Sequence, residues 1–216
     1  MRSLGLLQPG EHVTLLCLGA HPDDLEIGAG GSILKWLGLG VCLDVHWCVA
    51  TASEEREREA RASAEAFLAG ADKVSLHFGS FRDGFLPYEG AAVKTWVEGL
   101  APANPDLILT PRREDSHQDH RMLSELTWST FRDHLILEYE IPKWDGDLGH
   151  SNFYVPISAE NLQRKITLME SHFLSQQQKD WFDPETFRGI ARLRGMECRA
   201  PEHYAESFIM RKGLSG

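Results

Sequence analysis

The stretch VTLLCLGAHPDDLEIGAGG, residues 13–31, decides how the chain begins to fold. Its first six residues, 13–18, form an apolar run with a β-branched start, and Gly19 and Ala20 follow, which is typical of a buried strand. Apolar residues then recur near helical spacing over residues 28–39, which predicts a helix. The stretch therefore indicates a strand, a turn rich in polar side chains and a helix, the first part of a βαβ unit.

The same alternation of strands and helices continues along the chain. Further strands are predicted over residues 41–51, 74–78, 106–110 and 138–141, and helices over residues 53–68, 91–100, 159–173 and 184–194. Successive βαβ units have right-handed crossovers and form a largely parallel sheet with helices on both faces. No segment resembles a linker, so we expect one α/β domain over residues 1–216.

The charge balance argues against two classes of partner, although it leaves room for a small patch of either sign. The chain has 22 Lys+Arg against 32 Asp+Glu, a formal net charge of −10. This excess argues against nucleic-acid binding and against docking on an anionic membrane, because both need cationic surfaces. No apolar run approaches the roughly 18 residues of a membrane-spanning helix, so we expect no membrane insertion. The four cysteines form no C-x-x-C pair, and the first residues lack the pattern of a signal peptide, so a cytoplasmic protein is expected.

Polar residues follow the first predicted strand, at the sheet edge where α/β proteins bind ligands. A dinucleotide fingerprint would place glycines there, whereas this chain has His21, Asp23 and Asp24, whose carboxylates would repel phosphate. Imidazole and carboxylate three residues apart suit a divalent metal, with His21 and Asp24 as two ligands. Asp23 would then be free to take a proton from water. The alternative is that Asp23 or Asp24 only caps the next helix.

A second cluster follows the predicted strand over residues 106–110, in the stretch PRREDSHQDHR. His120 is a candidate third ligand, which would complete a site of two histidines and one carboxylate. His117 would face the same cleft, where its protonated ring could stabilise an oxyanion and give a proton to the leaving amine. Asp119 would orient an imidazole through a hydrogen bond. The alternative is a polar loop with solvated histidines. Because both clusters follow strands, the fold is expected to bring them together.

These motifs resemble those of the PIG-L (LmbE-like) zinc-dependent N-deacetylases. The similarity lies in AHPDD at residues 20–24 with the glycines at 30 and 31, and in HQDH at residues 117–120. Weaker similarity covers R-x-x-E at 56–59, RDG at 82–84 and the late segment from residues 175–176 to residues 205–208. Gln118 is a departure, since the family usually has proline there and thus a stiffer connection between the two histidines.

The resemblance implies a Rossmann-like α/β fold and removal of an N-acetyl group from an amino sugar or its conjugate. It implies Zn²⁺ on His21, Asp24 and His120, with Asp23 as general base, His117 as electrophilic or acid group and Asp119 as its supporting carboxylate. Ferrous iron or another divalent ion suits the same ligands. The partner implied is a small N-acetylated glycosyl compound, and a homo-oligomer stays open.

Three residues are candidates for contacts with the substrate. Arg56 and Asp83 match positions that meet the sugar in some family members, and Glu140 lies at another predicted strand end. Arg56 is alternatively part of a solvated helix face, and Asp83 a turn residue before Gly84. Two other functions remain in view. These are a metal-dependent deacylase of a non-sugar amide and a metal-binding scaffold without turnover.

Overall fold

Residues 4–214, which the computed structural model describes, contain a single seven-stranded sheet. Its strands are β1 (His12–Gly19), β2 (Cys42–Thr51), β3 (Lys73–Phe81), β4 (Leu107–Pro111), β5 (Leu135–Tyr139), β6 (Phe153–Ile157) and β7 (Tyr204–Met210). The strand order is β3-β2-β1-β4-β5-β7-β6. The five neighbouring strands β3, β2, β1, β4 and β5 are all parallel, whereas β7 runs antiparallel to both β5 and β6.

Helices cover both faces of the sheet. They are α1 (Asp24–Gly38), α2 (Glu54–Phe67), α3 (Gly90–Glu98), α4 (Gln118–Thr130), α5 (Ala159–His172) and α6 (Pro184–Cys198), with short 3₁₀ turns at Leu86–Glu89, Ala101–Ala103 and Leu174–Gln176. One core cluster packs α1, α2, α5 and α6 on one face. A second cluster packs α3 and α4 on the other. The predicted α/β fold with a largely parallel sheet is confirmed.

The strand order reverses at β1. β2 and β3 follow it on one side, and β4 and β5 lie on the other. The loops after β1 and β4 therefore leave the sheet in different directions and open a crevice between them, the usual place for a ligand in this architecture. The residues after these two strands are the ones that carry the two polar clusters.

Three elements were missing from the sequence-based prediction. α4 begins in the polar stretch 117–120, where few apolar side chains mark a periodic face. β6 is short and contains Pro156. β7 pairs only with β5 and β6, which run antiparallel to it and are distant from it in the sequence. Such strands depend on tertiary pairing more than on local pattern. α1 also begins at Asp24, four residues before the predicted start.

The glycines of α1 serve helix packing. A side chain at Gly28 would collide with the ring of Tyr139, and one at Gly30 would lie 2.7 Å from Phe67 Cε1. The absence of a Cβ at these positions lets α1 approach the sheet and α2 closely. This packing explains the glycines without a phosphate ligand. Within residues 4–214, we find no helix with both the length and the apolar character to span a bilayer.

Candidate metal centre and active-site cleft

The turn after β1 holds its side chains in a tight arrangement. His21 donates its backbone N–H to Asp24 Oδ2 at 2.8 Å, which closes the turn around Pro22. Asp23 is the N-cap of α1 and has a φ of +93°, a conformation that non-glycine residues rarely adopt. Such backbone strain persists only where the surrounding structure imposes it, and it is commonest at functional sites.

A carboxylate within the segment between β4 and α4, that of Asp115, fixes the backbone of this segment. The backbone N–H of His117 donates to Asp115 Oδ1 at 2.7 Å. His117 is the N-cap of α4, and its Nδ1 accepts the backbone N–H of Asp119 at 3.2 Å. His120 therefore lies in the first turn of α4 and is buried. The two polar clusters meet at the crevice, as their positions after parallel strands predicted.

Three donor atoms form a triangle whose size fits a bound metal ion. His21 Nδ1 lies 3.1 Å from His120 Nε2 and 3.6 Å from Asp24 Oδ2, and His120 Nε2 lies 3.3 Å from Asp24 Oδ2. With bonds of about 2.1 Å, tetrahedral coordination separates ligand atoms by about 3.4 Å. The His117 ring centroid lies within 5 Å of both rings, at 4.6 Å from His21 and 4.8 Å from His120.

The electrostatics of the cluster favour a cation. Burial lowers the pKa of both histidines of this triangle, but nearby carboxylates outweigh it, so the pKa of His21 is raised well above its usual value and that of His120 to about 9. Conversely, the two rings hold the pKa of Asp24 well below its usual value despite burial. A site that draws protons onto both imidazoles carries surplus negative charge, which a divalent ion would neutralise.

Each candidate histidine ligand also contacts a second carboxylate. His120 Nδ1 lies 3.1 Å from Asp115 Oδ1, and His21 Nε2 lies 3.2 Å from Asp119 Oδ2. Carboxylates in this position fix the tautomer and the orientation of metal-binding imidazoles. Asp119 thus lies beside the ring of His21, whereas the resemblance had paired it with His117. Its carboxylate oxygens also accept the backbone N–H groups of Gly84 and Leu86, which fix its orientation.

The sequence analysis did not single out Asp115. The residue is buried, and Lys143 Nζ contacts its Oδ2 at 2.8 Å. Burial raises the pKa of Asp115, but His120 and then Lys143 outweigh it and hold the pKa at about 2. The available signal was chemical, because Asp115 belongs to the same polar stretch and a ligand histidine needs a partner for its second nitrogen.

We expect Asp115→Asn to weaken metal affinity by about 10- to 100-fold, because a neutral amide cannot replace the carboxylate that is the charged partner of His120. Asparagine keeps an oxygen that can accept the backbone N–H of His117. The measurement is competitive titration of the metal-depleted protein with a chelator of known affinity. Asp147→Asn is the matched control, since Asp147 also binds Lys143, at 2.8 Å, but contacts neither histidine ring. Equal affinities for both variants would contradict the role of Asp115.

Asp23 lies beside the metal triangle, that is, the three donor atoms of His21, Asp24 and His120, but it contributes no atom to that triangle. Burial raises the pKa of Asp23 to about 6, although the guanidinium of Arg56 counters the rise. Arg56 Nη2 lies 3.0 Å from Asp23 Oδ2 and also donates to the carbonyl oxygen of Pro22. Arg56 therefore does not belong to a solvated face of α2. Its guanidinium contacts the turn after β1 and lines the cleft beside the triangle.

The cleft above these residues has a volume of about 430 Å³, within the usual range for small-molecule sites. His117 lines it, and burial together with the charges of His21 and His120 lowers the pKa of His117. Asp83 lines it too, with Oδ1 at 3.1 Å from His21 Nε2 and a side chain that is 77% exposed. Gln118 donates to the carbonyl of Gly84 and so ties the Asp83 loop to α4.

Glu140 lies apart from the cleft. Both of its carboxylate oxygens bind the guanidinium of Arg194 at 2.7 Å, and Ser207 Oγ donates to Oε1 at 2.7 Å. The side chain lines a separate small cavity together with Arg194 and Ser207. The expected contact of Glu140 with substrate does not fit this position, because α6 and β7 have engaged the carboxylate. Its position after a strand could not reveal those partners.

We expect Arg194→Ala to destabilise the fold by about 3–5 kcal/mol, because it leaves the buried carboxylate of Glu140 without its counter-charge. Urea unfolding measures the loss. Arg58→Ala is the control, since it removes an ion pair of exposed side chains with Glu54 and should change stability by less than about 0.5 kcal/mol. A loss for Arg194→Ala no greater than that of the control would show that the buried pair is unimportant.

Together, the crevice at the strand reversal and its cluster of histidines and carboxylates define an α/β protein with a candidate metal-dependent hydrolytic site. The family model described as PIG-L, GlcNAc-PI de-N-acetylase, matches residues 16–131, more than half of the chain. The chain belongs to the PIG-L family, as its motifs predicted. The matched region contains both polar clusters.

Solved structures share the fold over nearly the whole chain. N,N'-diacetylchitobiose deacetylase from Pyrococcus horikoshii is 25% identical, with a TM-score of 0.68 over 91% of this chain and 83% of that chain. The hydratase GalB from Pseudomonas putida KT2440 is 15% identical, with a TM-score of 0.74 over 94% and 98%. A zinc-inhibited form of the teicoplanin deacetylase Orf2 is 12% identical, with a TM-score of 0.70 over 93% and 100%. At the two lower identities, the similarity is one of fold alone.

Proposed function

We propose that this protein is a zinc-dependent N-deacetylase that hydrolyses the acetamido group of an N-acetylated amino sugar or glycosyl conjugate. The observation that carries the proposal is the triangle of His21, Asp24 and His120 beside the buried carboxylate of Asp23 in one cleft. Membership of a deacetylase family and the fold shared with a chitobiose deacetylase support it.

The protein's own residues divide the reaction between them. A divalent metal bound by His21, Asp24 and His120 supplies Lewis acidity and lowers the pKa of water. Asp23 takes a proton from the attacking water, and the water oxygen forms a bond to the acetyl carbon. His117 donates a hydrogen bond to the oxyanion. The C–N bond then breaks, the amine leaves with a proton from Asp23 or His117, and acetate is released.

Arg56 and Asp83 have distinct parts in this proposal. Arg56 holds the Asp23 carboxylate at 3.0 Å and presents the rest of its guanidinium to the cleft, where it can donate a hydrogen bond to a hydroxyl oxygen of the sugar. Asp83 projects into the cleft from an exposed position, so its carboxylate can accept hydrogen bonds from sugar hydroxyls. Both residues contact the triangle of His21, Asp24 and His120 or the adjacent Asp23, which supports a sugar ring bound above the triangle.

The test combines metal analysis with a screen for released acetate. We expect about one zinc ion per chain after reconstitution, and acetate from N-acetyl sugars or their glycosides. Parallel loading with ferrous iron compares the two metals. Acetate from N-acyl amino acids alone would favour a deacylase of non-sugar amides. Bound metal with no product from any compound would favour a non-catalytic scaffold. A single domain over residues 1–216, a cytoplasmic location and a homo-oligomer stay predictions.

A further inference from the structure

The cleft continues beyond the metal triangle to an aromatic end. Trp144 and Trp181 line this end together with Asp145 and Lys179. Trp144 is 70% exposed, an unusual state for so large an apolar ring. It belongs to the loop between β5 and β6, which contributes none of the residues assigned above to hydrolysis.

The exposed ring is held in place. Its Nε1 donates to Asp180 Oδ1 at 3.0 Å. The edge of one indole meets the face of the other in the pair of Trp144 and Trp181, with centroids 6.3 Å apart and planes at 88°. These contacts with Asp180 and Trp181, which lie between α5 and α6, order the ring before any ligand arrives, so little conformational entropy would be lost on binding.

The loop is also fixed relative to the metal centre. Lys143, the neighbour of Trp144, binds Asp115, the carboxylate that contacts His120. Asp147 accepts the backbone N–H of Ser116 at 2.7 Å. These contacts tie the Trp144 loop to the segment that carries His117 and His120. The distance from the aromatic end to the reacting amide is therefore set by the fold.

We infer that Trp144 forms a second subsite, which stacks on a neutral sugar ring linked to the N-acetylated ring. The inference rests on the proposed function, since it assumes that an N-acetyl sugar lies at the metal end. The C–H face of a pyranose is apolar and can cover an indole, which removes apolar surface from water. Lys179 and Asp145 carry opposite charges at this end, and Asp180 adds a carboxylate beside the indole nitrogen, so the aromatic end has no surplus of positive charge that would select an anionic group.

The experiment compares N,N'-diacetylchitobiose with N-acetylglucosamine as substrates for the zinc-loaded protein. We expect kcat/KM to be higher for the disaccharide, and Trp144→Ala to lower it about tenfold for the disaccharide but not for the monosaccharide. Trp144→Phe, which keeps a ring, should retain part of the preference. Tyr88→Ala is the control, because Tyr88 is 76% exposed and lies outside the residues that line the cleft.

A second measurement does not depend on turnover. Calorimetry with the metal-depleted protein should show tighter binding of the disaccharide to the wild type than to Trp144→Ala. An equal loss for both sugars, or no loss for either, would overturn the inference while leaving the deacetylase proposal intact. The inference would also be overturned if Trp144→Ala changed the sedimentation of the protein but not its preference between the two sugars, since the ring would then serve contacts between copies of the chain. Failure to release acetate from any sugar, with metal bound, would count against the deacetylase proposal instead, and calorimetry would still report on the subsite.

Discussion

Asp23→Asn is expected to lower kcat by about 10²- to 10⁴-fold while leaving the metal content unchanged. The side chain is buried at the cleft, and its carboxylate lies outside the triangle of candidate ligands. An amide of the same shape cannot take a proton from water. Asparagine also tolerates the positive φ of this position better than most residues, so the turn after β1 should persist.

The controls for this variant separate catalysis from folding. Metal content is measured on the purified protein, and stability by thermal unfolding. Asp23→Ala, which also removes the partner of Arg56, should lose a similar share of kcat and retain the metal. A kcat for Asp23→Asn within about twofold of the wild type would refute the assignment of Asp23 as general base.

His120→Ala is expected to abolish stoichiometric metal binding and to lower turnover by at least about 10³-fold, because Lewis acid chemistry contributes several kcal/mol to such reactions. The variant removes one corner of the donor triangle, leaving His21 and Asp24 3.6 Å apart. It also leaves Asp115 without the imidazole that it contacts. The measurement is metal analysis after dialysis, followed by the acetate assay with added zinc.

His117→Ala provides the comparison within the same cluster. His117 lies close to both ligand rings and lines the cleft, and the proposal gives it a role in stabilising the oxyanion. The His117→Ala variant should therefore lose turnover but keep about one metal ion per chain. If His117→Ala lost the metal while His120→Ala retained it, the roles of the two histidines would be reversed.

Much of the architecture followed from local patterns. The apolar run before Gly19 predicted β1, and the second polar cluster was expected beside the first because both follow parallel strands. Side-chain partners were much harder to predict. Glu140 had a position after a strand, like the ligands, yet Arg194 from α6 holds it. Asp115 had no feature that distinguished it from its acidic neighbours, and only burial against His120 and Lys143 reveals its part.

Local chemistry was enough to predict the motifs, the parallel part of the sheet and the approximate place of the candidate metal centre, because residue type and hydrophobic period act over a few positions of the chain. The separation of about 3 Å between donor atoms 99 residues apart required the folded chain. The same holds for the exposed setting of Trp144 and for the pairing of Glu140 with Arg194. Contacts of this kind arise where strands and helices from distant segments pack together, and no short stretch of sequence contains that geometry.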